Sequence, residues 1–246
     1  SSLSFNSVFQ IEALNKERLL VASFGGGINI LDTRTGEFDH SLIHPEDRDA
    51  IKLRNSVPLA MVHLRSLVTT TTLSKEGILW YGTISDGLYK IDLKNNSSKS
   101  FREVRGDKHG LAFNGIRSLF YSKNGILWIG TNGSGINTYS PNSKKFNTIL
   151  PRIENAGTLS FSSIRSIYED ESGRLYIGGY SGLNIIDRKT GKVEDPFGSQ
   201  YIVYVIREDP DNPERYLLFG TEGGGLLKYD KATGNLSRFN ISYKRD

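Results

Sequence analysis

Short apolar runs separated by glycine-rich turns recur along the whole chain. One pattern returns five times, each time joining an apolar run to a small residue and then to a turn. Its copies begin at Leu19, Leu79, Leu127, Leu175 and Leu217, and their small central residues are Ala22, Gly82, Gly130, Gly178 and Gly220. A long period repeated in register indicates a repeat architecture in which each copy is one supersecondary unit.

Each period predicts four short strands, which we call a to d. An apolar residue opens strand a, and an Asn- or Gly-containing hairpin turn leads to strand b, the Leu-Trp-Ile-Gly type of segment. The strand a openers are Val8, Val68, Ile116, Ile164 and Val203, and strand d lies around Phe38, Phe101, Phe146, Val193 or Phe239. Four strands in about 40–50 residues is the spacing of propeller blades. We therefore predict an all-β fold, a β-propeller of four-stranded antiparallel blades.

The predicted blades form a single propeller region, residues 1–246. They span about residues 3–39, 62–102, 111–147, 159–194 and 199–240. Five blades either close on themselves, within the usual range for propellers, or belong to a fragment of a seven-blade ring. The chain begins at a strand a and ends after a strand d. We therefore expect a segment of a longer array, whose exposed blade faces would seek a partner.

The sequence of the repeat resembles that of a known family. Two kinds of segment are similar to the two-component-regulator propeller repeat. One is the run from Leu127 to Ile136, followed by Tyr139, and the other is the segment that opens strand a, at 2–8, 110–116 and 158–164. That repeat occurs in periplasmic sensor regions of Bacteroidetes hybrid two-component histidine kinases. The resemblance implies a periplasmic sensor segment whose parent protein carries a histidine kinase and further propeller blades or domains. Blade one departs from the pattern with Leu20–Ser23, and blade four has a b–c turn that is one residue shorter.

Composition excludes several other classes of protein. There is no cysteine, so disulfides and thiolate metal sites are absent. The net charge is +4 and the basic residues are scattered, which favours a solvated surface over a nucleic-acid interface. No apolar run reaches the 18 residues or so of a membrane span. No nucleophile elbow, zinc-protease motif or phosphate loop appears, so we predict no enzyme in this region, no cofactor and no metal.

The b–c turns and d–a loops of a propeller meet on one face, which is the expected place for a ligand. Candidate ligand-binding residues from the turns are Phe24, Asp86, Asn132, Tyr180 and Glu222. Arg117 and Arg165 share one place in strand a and would hold a carboxylate or an anionic sugar. In the other blades Phe9, Thr69 and Tyr204 fill that place. The alternatives are that the turn residues only form turns and that the arginines pair with carboxylates of neighbouring blades.

Other residues of potential interest have simpler interpretations. Matched places in strand b make Trp80 and Trp128 core residues rather than a carbohydrate platform. His40 and His44 lie in a loop, which favours solvated side chains over a metal pair. The segment 209–213 is interpreted as a rigid hairpin turn, because it lacks the Gly and Glu of a calcium loop. The long d–a connection at 39–67 is our best single prediction of a recognition element.

Three hypotheses about function follow. The first is an extracytoplasmic sensing propeller that binds an oligosaccharide and signals to a kinase. The second is a propeller scaffold for protein–protein interaction or dimerisation without a small ligand. The third is a propeller lyase or lactonase, against which the small number of histidines argues. Binding of oligosaccharides separates the first hypothesis from the second, and turnover of a bound glycan would favour the third.

Overall fold

A computed structural model describes residues 2–3, 6–23, 27–39, 68–74, 76–92, 94–95, 97–143, 145–150 and 158–239. Within these residues the chain forms five four-stranded sheets, and the strands of each sheet lie side by side in chain order. Every neighbouring pair whose register is defined is antiparallel. The one helical element of this part of the chain is a single 3-10 turn, Gly198–Gln200. The predicted all-β propeller fold with four-stranded blades is confirmed.

Strands a to d of each blade are numbered in chain order. Blade one contains β1 Val8–Ala13, β2 Arg18–Ser23, β3 Gly27–Asp32 and β4 Phe38–Asp39. Blade two contains β5 Val68–Leu73, β6 Ile78–Thr83, β7 Leu88–Asp92 and β8 Ser97–Phe101. Blade three contains β9 Ile116–Tyr121, β10 Leu127–Thr131, β11 Ile136–Ser140 and β12 Lys145–Ile149. Blade four contains β13 Ile164–Glu169, β14 Arg174–Gly179, β15 Gly182–Asp187 and β16 Val193–Glu194. Blade five contains β17 Ile202–Glu208, β18 Tyr216–Glu222, β19 Gly225–Asp230 and β20 Leu236–Arg238.

The chain divides into two compact units. The first unit, residues 1–132 and 137–148, contains blades one and two and most of blade three. The second unit, residues 133–136 and 149–246, contains blades four and five. Strands b and c supply most of the buried apolar residues in each of the two units.

The first unit is held together by aromatic and aliphatic side chains of adjacent blades. Trp80 of blade two is 1% exposed and packs against Phe101 and against Tyr139 of blade three, with ring centroids 5.9 and 5.2 Å apart. Trp128 of blade three is also buried. Both tryptophans are therefore core residues, as predicted from their matched places in strand b.

The second unit repeats the same arrangement. Tyr176 of blade four is fully buried, and its ring centroid lies 6.2 Å from that of Tyr229 in blade five. Tyr229 also packs against Phe219 and Phe197. The same cluster contains apolar residues of both blades, including Leu183, Val203 and Ile206. Burial of such side chains contributes roughly 1.5–3 kcal/mol each relative to exposure, so the contact between blades is a main source of stability.

An aspartate closes the c–d turn in four of the five blades. In blade four, Asp187 Oδ1 accepts hydrogen bonds from the main-chain amides of Lys189 and Thr190, at 2.8 and 3.2 Å. The turn then ends at Gly191, whose φ of 73° is the left-handed conformation that glycine adopts most easily. Equivalent carboxylates are Asp32, Asp92 and Asp230. Across the described residues, no helix is both long enough and apolar enough to cross a membrane.

Candidate functional site

Every strand a contains a β-bulge at the same place. In blade four, Ile164 pairs with Gly179 and Ser166 pairs with Gly178, so Arg165 is the extra residue. The five extra residues are Phe9, Thr69, Arg117, Arg165 and Tyr204. A bulge bends the strand and redirects the side chain of its extra residue, and bulges are frequent beside functional sites. The place in strand a at which the residue type differs between blades is therefore the position of the bulge.

In the second unit, four side chains from blades four and five form one group. Arg165 places its guanidinium carbon 4.2 Å from the centroid of the Tyr180 ring and 5.5 Å from that of Tyr204. The two tyrosine rings stand at 75° to each other, with centroids 6.4 Å apart. The Tyr204 hydroxyl donates a hydrogen bond of 2.7 Å to Glu222 Oε2. We call Arg165, Tyr180, Tyr204 and Glu222 the Arg165 cluster.

Local sequence places these side chains at one end of the two blades. Arg165 and Tyr204 are the bulge residues of β13 and β17, while Tyr180 and Glu222 lie at the adjacent b–c turns. The turn after Tyr180 is short because Gly182 takes up a φ of 104°, and Gly223 does the same after Glu222 with a φ of 76°. These turns present Tyr180 and Glu222 beside the bulges.

The Arg165 cluster is both charged and accessible. Tyr180 and Tyr204 are 42% and 41% exposed, and Glu222 is exposed as well. The hydrogen bond to Glu222 raises the pKa of Tyr204 above its ordinary value, with a further contribution from burial, while the charge of Arg165 acts in the opposite direction. The phenol therefore stays protonated at neutral pH and keeps its donor. A cation on an aromatic face next to a carboxylate provides donors, an acceptor and a flat apolar surface.

The candidates of the first unit are arranged differently. Asp86 is held by its own blade: Arg102 Nη2 lies 2.7 Å from Asp86 Oδ1, and the Tyr89 hydroxyl donates to Asp86 Oδ2. Its main-chain amide donates to Thr83 Oγ1 at 2.9 Å. Both carboxylate oxygens are thus engaged, which favours a role in fixing the b–c turn of blade two.

Arg117 and Asn132 lie in blade three. Arg117 is the bulge residue of β9, and its Nε is buried without a hydrogen-bond partner among the residues that the structure describes. The main-chain amide of Asn132 donates to Gly115 O at 2.9 Å, which ties the b–c turn to the start of strand a. The structure thus fixes the main chain at Asn132. Binding by either residue stays a prediction.

Several predicted residues lie outside the described part of the chain. They are Phe24, His40, His44 and most of the 39–67 connection. Among the described residues, no group of three or more metal-binding side chains is found. The segment 209–213 forms a turn in which the Asp211 amide donates to Asp209 Oδ1 at 3.0 Å, as predicted. Asp209 also pairs with Lys228 at 2.6 Å, which lowers the pKa of the carboxyl.

Two features were missed from the sequence. The first is Tyr204, which links Arg165 to Glu222 but was not among the candidate ligand-binding residues. The signal that could have identified it is that Tyr204 occupies the same place in strand a as Arg165. The second feature is a groove of about 900 Å³ at the a–b and c–d turns of blades four and five. Its charged groups are largely bound within the turns, since Asp170 Oδ1 accepts from the Arg174 amide and Arg215 pairs with Asp230. The Arg165 cluster is therefore the better candidate.

Comparison with known families identifies the repeat. Residues 110–133 and 158–181 match the model of the two component regulator propeller. These segments contain the starts of strand a at Ile116 and Ile164 and the strands b that follow them. They are part of the sequence on which the resemblance was based. The predicted repeat type is confirmed. No match was found among curated protein sequences.

Solved structures show the same fold. The chain superimposes with a TM-score of 0.72 and 20% identity on a protein from B. thetaiotaomicron described as the extracellular domain of a hybrid two component system, BT3049. A second one from that organism, BT4673, gives 0.71 and 22%. These matches cover 94% and 97% of this chain but 30% and 28% of the two structures, so the chain spans less than a third of their length. Virginiamycin B lyase from Staphylococcus aureus gives 0.64 and 15%, covering 97% of this chain and 71% of the lyase.

Proposed function

We propose that this chain, which carries two component regulator propeller repeats, is the ligand-sensing propeller of an extracytoplasmic receptor, and that the Arg165 cluster contacts an oligosaccharide. The observation behind the proposal is the exposed group of Arg165, Tyr180, Tyr204 and Glu222 at the b–c turns of two adjacent blades. Loops on a rigid scaffold are the usual place for recognition. The likeness to the extracellular domains of two hybrid two component systems supports the receptor role and a periplasmic location.

The chemistry of the cluster suits a sugar. The ring of Tyr180 is 42% exposed and offers an apolar surface for the C–H face of a pyranose. Glu222 accepts from sugar hydroxyls, and Arg165 donates from a planar fork that fits hydroxyl pairs or a carboxylate. Because Arg165 already stacks on Tyr180, its side chain is held in place before a ligand arrives, which lowers the entropic cost of binding.

We infer binding without turnover. The likeness to the lyase is at 15% identity and concerns the fold, which hosts unrelated functions. The output of binding would be a change in the arrangement of this propeller relative to the rest of the receptor, and a kinase in the parent protein would receive it.

The test is a thermal-shift screen of the purified chain against neutral and acidic oligosaccharides from plant and host glycans, followed by calorimetry on any that bind. We expect at least one oligosaccharide to bind, and Tyr180→Ala or Arg165→Ala to weaken that binding about tenfold or more, which corresponds to about 1.4 kcal/mol. The bound sugar should be recovered unchanged by chromatography.

Arg207→Ala is the matched control, because Arg207 is an exposed arginine of the same strand as Tyr204 whose Nη1 donates to the main-chain carbonyl of Ile206. This variant should bind as the unmodified chain does. The proposal fails if no oligosaccharide binds, or if binding is unaffected by both cluster variants. Recovery of a cleaved sugar would replace it with the lyase hypothesis.

A further inference from the structure

Arg117, the bulge residue of β9, is a cation that lies partly inside the protein. Its side chain is half-buried, and its Nε is closed off from solvent. Within the described residues, the Arg117 guanidinium makes no hydrogen bond, ion pair or aromatic contact. Moving a charged donor out of water without giving it a partner is unfavourable. The fold therefore holds a partly desolvated positive charge that these residues leave uncompensated.

Comparable arginines of the same chain do have partners. Arg188 is also half-buried, and it forms an ion pair with Glu169. Arg165 occupies the equivalent bulge in blade four, and its guanidinium carbon lies 4.2 Å from the centroid of the Tyr180 ring. The sequence left open that Arg117 pairs with a carboxylate of a neighbouring blade, but no such pair occurs among the described residues.

A carboxylate beside the start of β9 is already in use. The Gly87 main-chain amide, in the b–c turn of blade two, donates to Asn114 O at 3.0 Å, so this turn lies next to the segment that leads into β9. Asp86 belongs to the same turn, and its Oδ1 lies 2.7 Å from Arg102 Nη2. The negative charge of Asp86 is therefore paired with Arg102 rather than with Arg117.

Uncharged polar groups flank the same segment. In blade three, the main-chain amide of Asn132 donates to Gly115 O at 2.9 Å, two residues before the bulge. By register, Asn132 takes the place that Tyr180 has in blade four. In blade two, Thr69 Oγ1 donates to Ile116 O at 2.5 Å, one residue before the bulge. A tyrosine ring stacks on a guanidinium, whereas an asparagine side chain can donate hydrogen bonds to an anion beside it.

We propose that Arg117 and Asn132 bind an oxyanion, the carboxylate or sulfate group of an acidic ligand, at the bulge of blade three. The planar guanidinium presents paired donors that match two oxygens of such a group. Because Nε is closed off, the two Nη groups are the donors that reach the anion. The attraction is stronger at a partly desolvated site than in water. The site uses no residue of the Arg165 cluster, and the inference does not depend on the oligosaccharide proposed there.

The test follows the Arg117 Nε–H signal in proton–nitrogen correlation spectra of the whole chain labelled with nitrogen-15. Galacturonate and inorganic sulfate are the probes, at constant ionic strength, and galactose is the neutral counterpart of galacturonate. We expect a saturable shift with either or both anions, with a roughly millimolar dissociation constant, and no shift with galactose. Arg117→Lys identifies the signal, because lysine lacks this group. A signal that moves with neither anion overturns the proposal.

Calorimetry on variants locates the anion. Arg117→Gln should bind the same probe about tenfold more weakly or less. Arg18→Gln is the matched control, since Arg18 is exposed at the first position of β2, away from the b–c turns, and loses the same charge. It should bind as the unmodified chain does. Unchanged binding in Arg117→Gln overturns the proposal, and binding that only Arg165→Ala abolishes assigns the anion to the Arg165 cluster instead.

A stability measurement separates this role from a purely structural one. Arg117→Met keeps an unbranched apolar side chain but removes the uncompensated charge, so without added anion it should unfold at the same temperature as the unmodified chain or higher. Galacturonate or sulfate should raise the unfolding temperature of the unmodified chain and leave that of Arg117→Met unchanged. Circular dichroism checks that the variants are folded, and Arg117→Lys replaces Arg117→Gln if the glutamine variant is not. A clear loss of stability in Arg117→Met would mean that the guanidinium has a partner inside the protein, which overturns the proposal.

Discussion

Asn184 holds the segment that precedes its own blade's first strand by binding Ser160 with both ends of its side-chain amide. Asn184 Oδ1 accepts from the Ser160 main-chain amide at 2.9 Å, and Asn184 Nδ2 donates to Ser160 Oγ at 2.9 Å. Asn184 is fully buried at the third position of strand c in blade four. In blade three, Asn137 holds the equivalent segment with one end of its amide: its Oδ1 accepts from the Ala112 amide at 2.9 Å, whereas its Nδ2 donates to Thr148 Oγ1 of strand d at 2.7 Å. The segment with the recurring Leu-Ala-Phe or Leu-Ser-Phe sequence is therefore held by an asparagine side chain of strand c.

Replacing this amide should destabilise the blade. In Asn184→Ala the Ser160 amide loses its acceptor and Ser160 Oγ loses its donor, and because Ser160 is exposed and water can replace them, each lost hydrogen bond costs about 0.5–1.5 kcal/mol. Urea unfolding should show a loss of this size, and hydrogen exchange at Ser160 should become faster. Asn142→Ala is the control, since Asn142 is exposed in the c–d turn of blade three and should change stability by less than about 0.5 kcal/mol. An unchanged midpoint for Asn184→Ala would contradict this role.

The contact between Gly82 and Ile116 predicts that blade spacing is sensitive to one methyl group. A Cβ at residue 82 would overlap Ile116 Cγ2, so Gly82→Ala should cost about 1–3 kcal/mol of unfolding free energy. The double variant with Ile116→Ala should cost less than the sum of the single changes, because the smaller side chain makes room. In Gly110→Ala the three atoms nearest to the new methyl group all belong to the Asp107 side chain, which can move, so this control should cost much less than Gly82→Ala. Additive losses in the double variant would show that the overlap is relieved elsewhere.

The repeat could be predicted because every period obeys the same physical requirement. A blade must bury both faces of a small sheet, so strands b and c are apolar in each copy, and a small residue, glycine in four blades and Ala22 in blade one, stands in the middle of strand b. The predicted opening residues Val8, Val68, Ile116 and Ile164 are the first residues of their strands, and β17 begins one residue before Val203. Here pattern and structure agree closely.

The candidate site was less accessible to sequence analysis. The bulge at Arg165 is an extra residue in a strand pairing, and a pattern of apolar positions does not show which side chain it redirects. Asp86 and Tyr180 lie at equivalent b–c turns, yet Asp86 is bound by Arg102 of its own blade and Tyr180 meets an arginine of strand a. Such differences arise from single side chains at the edges of the repeat rather than from the repeat itself.

The c–d turns predict a loss of stability in acid. Hydrogen bonds from main-chain or side-chain donors lower the pKa of the carboxyls that close four turns, Asp32, Asp92, Asp187 and Asp230. A carboxyl with a lowered folded-state pKa stabilises the fold above its ordinary value of about 3.9, and this contribution is lost as the pH falls through the folded value. Thermal unfolding should therefore occur at lower temperature as the pH drops below about 4.

Asp187→Asn separates this charge effect from the turn itself. The amide oxygen still accepts from the amides of Lys189 and Thr190, but it has no proton to gain, so the variant should lose less stability than the unmodified chain over the same acidic range. Ser140 occupies the equivalent place in blade three, and Ser140→Ala should leave the pH dependence unchanged. Identical acid profiles for Asp187→Asn and the unmodified chain would exclude Asp187 as a contributor.

The hydrogen bond between Tyr204 and Glu222 makes a prediction about titration. Because Glu222 accepts from the phenol, the pKa of Tyr204 should lie above the ordinary value of about 10. Glu222→Gln removes the neighbouring negative charge, and the pKa of Tyr204 should fall as a result. Nuclear magnetic resonance of chains carrying carbon-13 at the tyrosine ring measures this directly, and Tyr204→Phe identifies the signal by its loss. A Tyr204 titration that is the same in Glu222→Gln would mean that the carboxylate does not hold the hydroxyl in solution, and the Arg165 cluster would then lack its fixed acceptor.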